Sequence, residues 1–108
     1  MVGAAILVLT QMPDRASAQA LARTLLDTHV AACVSVGAPV ESLYHWRGQI
    51  ETAQEVPVAV KTRSERYTEV EAMIRAHHPY ELPEIIAVPI VAGFAPYLDW
   101  IAGETAKN

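Results

Sequence analysis

The apolar positions of this chain change their spacing several times, and each spacing predicts a different element. Residues 4–10 are almost continuously apolar and rich in branched side chains, which is typical of a strand covered on both faces. The segment 11–14 breaks this run and offers Asp14 as an N-cap. Apolar residues then recur every three or four positions, which predicts a helix from about residue 15 to residue 28.

Two strand-like segments follow, at residues 32–46 and 50–62, with a turn at residues 47–49 between them. Polar and apolar residues alternate in both segments, and Gly48 suits a tight hairpin turn. Pro39 and Pro57 cannot donate ladder hydrogen bonds, so they indicate bulges or edge positions. Each arm exceeds the usual five or six residues, so the hairpin should project from a small domain and require a partner.

The second half of the chain predicts a helix, a strand and a final helix. Thr62 and Glu65 have the spacing of a capping box, and helical spacing of apolar residues then continues to His77. Pro79 should end this helix, because the residue before a proline is pushed towards extended geometry. Residues 85–91 read as a strand, and Pro96 suits the first turn of the last helix. That helix should carry three large side chains inward: Tyr97, Trp100 and Ile101.

The predicted order is β-α-β-β-α-β plus a C-terminal helix, in a single domain spanning residues 1–108. This order is typical of an α+β fold of the ferredoxin-like, split βαβ kind, with one antiparallel sheet and both main helices on one face. The face of the sheet opposite the helices must then be covered by something other than these two helices. The hydrophobic share of 52% is above ordinary usage, so we expect the excess to be buried between identical subunits.

Charge and cysteine content exclude several classes of protein. The net charge is −4 and the eight basic residues are scattered, so nucleic acid is not an expected partner. No apolar run approaches the ~20 residues that span a bilayer, and the first residues lack the positive region of a signal peptide. Cys33 is the one cysteine, which excludes an internal disulfide and fits a reducing cytoplasm. Its apolar neighbours predict a buried small side chain rather than a reactive thiol.

Motifs of enzymatic catalysis are absent from the sequence. There is no G-x-S-x-G elbow, no cysteine in a cationic setting and no glycine-rich phosphate loop. His78 and Glu84 could form an acid–base pair, but nothing supplies a nucleophile or an oxyanion hole. We therefore expect a protein that is not an enzyme.

The adjacent pair His77 and His78 is the best candidate for metal binding. Neither H-E-x-x-H nor C-x-x-C spacing occurs, so a zinc site made by one chain is not expected. Neighbouring residues of a helix point about 100° apart, so the pair would need a ligand from elsewhere. Imidazole suits copper, nickel and zinc, and Cu(II) is the tightest divalent binder. Alternatively, His77 packs on the helical stripe and His78 interacts with the negative end of the helix.

A second constellation consists of aromatic and charged residues near the two hairpin arms and the His-Pro segment. Tyr44, Trp46 and Tyr80 could line a groove, with Lys61 and Glu84 as the polar groups that fix a small molecule. Alternatively, these aromatic side chains fill a subunit interface, where Tyr and Trp are enriched.

Three sequence blocks together resemble the CutA family of divalent-cation tolerance proteins. They are "AACVSV", "ESLYHWRGQIETAQEVPVAVKT" and "HHPYELPEIIAVPI", the last followed by "YLDWI", and they occur in order over nearly the whole chain. The resemblance implies a ferredoxin-like fold assembled as a homotrimer through edge pairing of the sheets. It also implies a cytoplasmic protein linked to tolerance of copper and other divalent cations, without an established enzymatic activity.

The resemblance also assigns roles to particular residues. The family's two histidines before Pro-Tyr correspond to His77 and His78, and Glu84 is a possible oxygen ligand across a subunit boundary. The family's cysteine at the end of the first strand is Thr10 here, which replaces a soft thiolate by a hydroxyl. Five residues would line the inter-subunit cleft: Tyr44, Trp46, Lys61, Tyr80 and Trp100.

Taken together, these patterns predict a cytoplasmic homotrimer that binds Cu(II) or another divalent cation weakly, so that the ion could be lost on isolation. The alternative is a signalling or adaptor trimer similar to the nitrogen-regulatory PII proteins. Such a trimer would bind a small molecule or an unknown partner protein in the cleft between subunits.

Overall fold

Five strands and three helices make up the computed structural model, which describes residues 4–107. A short 3-10 turn, Ser64–Arg66, precedes the second helix. The elements in chain order are β1 (Ala5–Met12), α1 (Arg15–Asp27), β2 (Cys33–Val36), β3 (Val40–Trp46), β4 (Gln49–Arg63), α2 (Tyr67–His77), β5 (Ile85–Pro89) and α3 (Ala95–Glu104).

The strands form one antiparallel sheet in the order β2-β4-β1-β5, and β3 pairs with the other end of β4. Strand β4 therefore separates β1 from β2, and β1 separates β4 from β5, as in a split βαβ arrangement. The α+β class and the antiparallel sheet expected from the sequence are confirmed.

The core lies between one face of the sheet and helices α1 and α2. Along β1, buried and half-buried residues alternate, so only one of its faces is fully covered. The expectation of a strand covered on both faces therefore holds fully for one face, while the other face is half-buried within a single chain. The alternating buried positions meet the apolar stripes of the two helices, and the cluster includes Val8, Met12, Leu21, Leu25, Val58, Val60, Val70 and Ile74.

Strand β4 is 15 residues long and lies in two environments. Its second half pairs with β1 and β2, whereas its first half pairs only with β3 and is largely exposed. Arg47 and Gly48 have φ values of 51° and 78°, which make the two-residue turn that suits a twisted hairpin. Gln49 already pairs with Trp46, so the turn is shorter than the three residues expected.

The first arm of the hairpin is divided, contrary to the single strand expected for residues 32–46. The break at residues 37–39 separates β2 from β3. The backbone N–H of Gly37 still donates to the carbonyl of Pro57, at 2.9 Å, while Pro39 has no N–H to continue the ladder. The hairpin beyond this break contributes to the long dimension of the chain, which measures 46 × 26 × 23 Å.

The starts of the two main helices differ. The prediction for α1 is confirmed, because Asp14 accepts a hydrogen bond from the backbone N–H of Ser17 at 2.7 Å. The capping box at Thr62 is wrong. Thr62 belongs to β4, and its hydroxyl donates to the carbonyl of Val30 at 2.6 Å, while Glu65 pairs with Arg63 at 2.9 Å.

Helix α3 contacts β4 and β1 from the side of Lys61 and Arg63. Pro96 lies in its first turn, as expected. Only Ile101 of the three side chains expected to face inward is buried, since Tyr97 and Trp100 remain 39% and 44% exposed. The amphipathic spacing of this helix thus leaves an aromatic surface on the described chain.

Two buried arginines hold the C-terminal end of α3. Arg63 donates through Nη2 to the carbonyl of Thr105 at 2.7 Å and through Nε to the Thr105 hydroxyl at 3.0 Å. Arg66 donates to the same carbonyl at 2.9 Å. Cations at this position complement the negative end of a helix, so these contacts fix the C-terminus against the sheet.

Candidate functional site

His77 ends α2 and presents one free ring nitrogen. Its Nδ1 lies 2.9 Å from the carbonyl of Met73, one turn earlier. Because a carbonyl only accepts, Nδ1 carries the proton and the lone pair of the neutral ring is on Nε2. Within residues 4–107, Nε2 has no hydrogen-bond partner and the side chain is exposed. Metal-ligating histidines are commonly held in this way, with the second ring nitrogen bonded to a carbonyl.

His78 is held by both of its ring nitrogens. Nε2 donates to the carbonyl of Gln11 at 2.6 Å, and Nδ1 accepts from the backbone N–H of Tyr80 at 3.3 Å. The imidazole also lies against the Tyr80 ring, with 4.5 Å between centroids. His78 is half-buried, so it ties the segment after α2 to the end of β1.

Pro79 explains why the two histidines diverge. His78 is the C-cap of α2 and has extended geometry, with φ −94° and ψ 130°, as the residue before a proline should. His77 still belongs to the helix and points back along it. At this helix end the two rings therefore bond to different partners, His77 to the Met73 carbonyl and His78 to the Gln11 carbonyl, and they do not converge on one point.

Glu84 lies exposed at the end of the loop 78–84. Among the described residues, no three His, Cys, Asp or Glu side chains are grouped so that they could hold a metal ion. The ligand set His77, His78 and Glu84 stays a prediction that requires groups from elsewhere.

A groove of about 880 Å³ lies between the β3–β4 hairpin and the loop 78–84. Tyr44, Trp46 and Tyr80 line it together with Glu84, as the sequence suggested for a small-molecule pocket. Glu55 contributes a buried carboxylate, only 8% exposed. Burial first, and then the charge of Glu55 and a hydrogen bond to it, raise the pKa of the Tyr80 phenol above its ordinary value.

A contact at the rim joins the hairpin tip to the loop. Arg47 forms an ion pair with Glu81 at 3.2 Å, and its guanidinium lies 5.3 Å from the centre of the Trp46 ring. The sequence pattern does not single out Arg47 or Glu55. An acidic residue beside the valine alternation of β4 is the one local signal that could have indicated Glu55.

Lys61 and Trp100 lie outside this groove, in a second aromatic cluster on α3. Lys61 Nζ is 3.4 Å from the Tyr97 hydroxyl, and the Tyr97 and Trp100 rings are 5.4 Å apart. Within one chain the five predicted cleft residues thus fall into two groups. That they meet in a cleft between subunits stays a prediction.

Thr10, at the family's cysteine position, and Cys33 differ in burial. Thr10 is 1% exposed, and its hydroxyl has no hydrogen-bond partner within the described part of the chain. Cys33 is half-buried, whereas its apolar neighbours in the sequence predict a buried side chain.

The family model of the CutA1 divalent ion tolerance protein matches residues 6–104. The chain belongs to the CutA1 family. A CutA protein of Thermus thermophilus is 36% identical over 98 residues, covering 91% of this chain and 95% of the relative. A CutA protein of Yersinia pestis is 39% identical over 97 residues, covering 90% and 82%. Divalent-cation tolerance is therefore the family role of this chain.

Solved CutA1 structures share the fold. The CutA1 of Oryza sativa superposes with a TM-score of 0.94 at 31% identity, covering 99% of this chain and 98% of that chain. The CutA1 of Shewanella sp. SIB1 gives 0.93 at 38% identity, covering 99% and 100%. A CutA of Archaeoglobus fulgidus, described as periplasmic, gives 0.90 at 38% identity, covering 94% and 98%. Within residues 4–107 of the present chain, every helix is too short or too polar to cross a membrane.

Proposed function

We propose that this CutA1 chain is a single-domain, non-enzymatic homotrimer that binds Cu(II) or a similar divalent cation at the end of α2. The observation that carries the proposal is the exposed Nε2 of His77, held ready by the bond from Nδ1 to the Met73 carbonyl. Imidazole is a good ligand for Cu(II), which binds more tightly than the other divalent ions of its row.

Further ligands would complete the site in the assembled protein. Glu84 is an exposed carboxylate that could reach an ion across a subunit boundary. His78 would become a ligand only by giving up its bond to the Gln11 carbonyl or the one from Tyr80. A site with one preformed imidazole and movable partners should bind weakly, which agrees with the weak binding expected from the sequence.

Exposed apolar side chains support assembly into a trimer. They lie on the hairpin, the loop 78–84, the edge strand β5 and the segment after it, where no other part of the described chain covers them. Those at least 40% exposed include Val40, Leu43, Ile50, Leu82, Ile86, Val88, Val91 and Phe94. Patches of this kind mark interaction sites in proteins that fold in water. We place the trimer in the cytoplasm because of its one unpaired cysteine, and cell fractionation tests that location.

Calorimetric titration with Cu(II) tests the metal site. Wild type should release binding heat, and His77→Ala should abolish it. His29→Ala is the matched control, because His29 is also exposed and its Nδ1 also donates to a backbone carbonyl, that of Glu104 at 2.9 Å. Unchanged heats in His77→Ala would remove His77 from the site. An equal loss of binding heat in His29→Ala would show that Cu(II) binds to any exposed imidazole and not specifically at His77.

A second function is favoured by the aromatic groove with its buried Glu55. In this alternative, the trimer resembles the PII proteins and binds a small molecule or a partner protein there. A metabolite screen by thermal shift in the presence of a chelator tests it. A ligand that raises the melting temperature of wild type but not of Trp46→Ala would favour this function. A screen without such a ligand would count against it.

A further inference from the structure

The aromatic groove between the β3–β4 hairpin and the loop 78–84 carries an excess of negative charge. Three glutamates line it, and the described residues of its lining include no lysine or arginine. Its one basic side chain is the imidazole of His45. Arg47, at the rim, pairs with Glu81 at 3.2 Å, whereas Glu55 and Glu84 take part in no ion pair within residues 4–107. The charge of the groove therefore favours a cation over an anion.

Glu55 is the most buried of these three glutamates. It is 8% exposed, while Glu81 and Glu84 lie exposed in the loop. Burial of a carboxylate is costly unless hydrogen bonds or an opposite charge compensate for the lost water. A cationic ligand would supply the opposite charge that the described part of the chain does not place beside Glu55.

The phenol groups of Tyr80 and Tyr44 lie close to the Glu55 carboxylate. Burial raises the pKa of the Tyr80 phenol, and the charge of Glu55, a hydrogen bond to Glu55 and the charge of Tyr44 raise it further. The Tyr80 hydroxyl donates in this hydrogen bond, because an ionised carboxylate only accepts. A carboxylate has lone pairs for several donors, so an N–H group of a ligand can bond to Glu55 beside Tyr80.

Aromatic rings surround the carboxylate on the hairpin side. Tyr44 and Trp46 alternate with residues of the other face, and they lie on the face of the hairpin that also carries Glu55. The guanidinium of Arg47 is 5.3 Å from the centre of the Trp46 ring, within the range of a cation–π contact. Tyr44 and Tyr80 are 43% and 38% exposed, so their rings can contact a ligand as well.

We propose that this groove binds a small protonated alkylamine, whose ammonium group donates to the Glu55 carboxylate. The rings of Tyr44, Trp46 and Tyr80 contact its charge and its alkyl chain, since the face of an aromatic ring attracts a cation and also covers apolar surface. A volume of about 880 Å³ suits a small molecule. The inference rests on the small-molecule function proposed for this groove and names its class of ligand, without a metal ion.

The matched probes n-butylamine and 1-butanol test the class of ligand. They are nearly equal in size, and at pH 8 the amine is protonated whereas the alcohol is neutral. Titrations at constant ionic strength, with a chelator present, are followed by NMR of ¹⁵N-labelled protein. Because hydrogen bonds to charged groups are stronger than neutral ones, wild type should bind n-butylamine at least about tenfold more tightly than 1-butanol.

Glu55→Gln removes the charge of the carboxylate and keeps its shape and an acceptor for the Tyr80 hydroxyl. It should weaken the binding of n-butylamine at least about tenfold, to the level of 1-butanol. Glu41→Gln is the matched control, because Glu41 is an exposed glutamate of β3 outside the groove and its substitution changes the net charge equally. Glu41→Gln should bind like wild type. Circular dichroism and melting temperature establish that each variant is folded.

The two tryptophans provide an internal readout of where the probe binds. The indole N–H signal of Trp46 should shift on addition of n-butylamine. The signal of Trp100, which lies outside the groove beside Tyr97 on α3, should stay in place. Trp100→Phe assigns the two signals. A shift of Trp100 alone would place the probe elsewhere and overturn the inference.

The outcomes separate this inference from the function on which it rests. Equal affinities for the two probes in wild type, absence of n-butylamine binding, or an unchanged preference in Glu55→Gln would overturn the alkylamine site. If a neutral metabolite then still raises the melting temperature of wild type but not of Trp46→Ala, the small-molecule function stands and only its ligand class is refuted. If no metabolite does so, both proposals for the groove fail, and Cu(II) binding at His77 is unaffected.

Discussion

The two halves of strand β4 belong to one continuous strand but lie in opposite environments. Residues 56–63 lie in the middle of the sheet between β1 and β2, and their alternate side chains are buried under α1 and α2. Residues 49–54 pair only with β3, and most of their side chains are exposed. The hairpin half is therefore held by ladder hydrogen bonds and its turn, whereas the other half is held by burial of apolar surface.

The buried half of β4 is stabilised within one chain, whereas the exposed half presents apolar surface that a partner molecule could cover. A fully buried Val or Leu side chain contributes roughly 1.5–3 kcal/mol relative to an exposed one. Leu43 and Ile50 in the hairpin remain 66% and 70% exposed, so they contribute little of this within one chain. Their apolar surface stabilises the protein only when another molecule covers it, in accordance with the proposed trimer.

The largest expected effect comes from a cavity in the covered half. Leu25→Ala removes a fully buried side chain from the cluster under the sheet. We expect the free energy of unfolding to fall by about 3 kcal/mol. Leu43→Ala, in the hairpin, should change it by less than about 0.5 kcal/mol under dissociating conditions. Urea denaturation measures both changes in the free energy of unfolding. Equal decreases in the two variants would contradict the distinction between the buried half of β4 and the exposed hairpin.

Charged residues in the hairpin should act on assembly rather than on the fold. The double variant Leu43→Asp and Ile50→Asp places carboxylates on exposed apolar positions. We expect size exclusion with light scattering to show monomer instead of trimer, while circular dichroism stays like that of wild type. Leu43→Gln with Ile50→Gln is the uncharged control and should dissociate the trimer less. A charged variant that still forms a trimer would exclude this surface from the interface.

A backbone change at the turn should have a smaller, local effect. Gly48 has φ 78°, a conformation that costs an alanine about 1–2 kcal/mol. Gly48→Ala should therefore destabilise the hairpin by about 1 kcal/mol. Gly103→Ala is the matched control, because Gly103 lies within α3 with open space around it, and there alanine should stabilise the helix. Thermal unfolding should show shifts of opposite sign.

The smallest expected effect is the loss of the stabilising contribution of Glu69 at acidic pH. The hydrogen bond from Lys107, followed by the charge of Arg66, lowers the pKa of Glu69 below its ordinary value of 4.5. A lowered folded-state pKa stabilises the fold above pH 4.5, and this contribution is lost as the pH falls below that value through the folded pKa. Because Glu69 is 42% exposed, we expect Glu69→Gln to cost less than about 0.5 kcal/mol at pH 7.

Melting curves of wild type and Glu69→Gln at pH 7 and pH 3 check this. The difference between the two proteins should shrink as the pH falls from 7 to 3, because the stabilising charge is lost as the pH passes through the lowered pKa of the Glu69 carboxyl. A difference of the same size at both pH values would mean that Glu69 acts by packing rather than by charge. The hairpin, which lacks this contact, should be indifferent to the substitution.

Local patterns in the sequence predicted the elements well because each element depends on near neighbours. The alternation in β4, the N-cap at Asp14 and the stop at Pro79 are of this kind. The failures involve partners distant in the chain. The Thr62 hydroxyl is taken by the Val30 carbonyl, and His78 by the Gln11 carbonyl, so neither residue plays the local role that its neighbours suggested. The aromatic groove needs the hairpin and the loop 78–84 together, which no single segment reveals.

The length of β4 also has a consequence for the order in which the chain folds. Trp46 and Gln49 pair across a two-residue turn, so the hairpin can close in about 1–10 μs. Ala5 and Arg63 pair across most of the chain, and this contact waits for a much larger loop to close. We therefore expect the exposed half of β4 to pair early in folding and the pairing of the buried half to set the folding rate. Stopped-flow refolding should be slowed by Val8→Ala and left unchanged by Leu43→Ala.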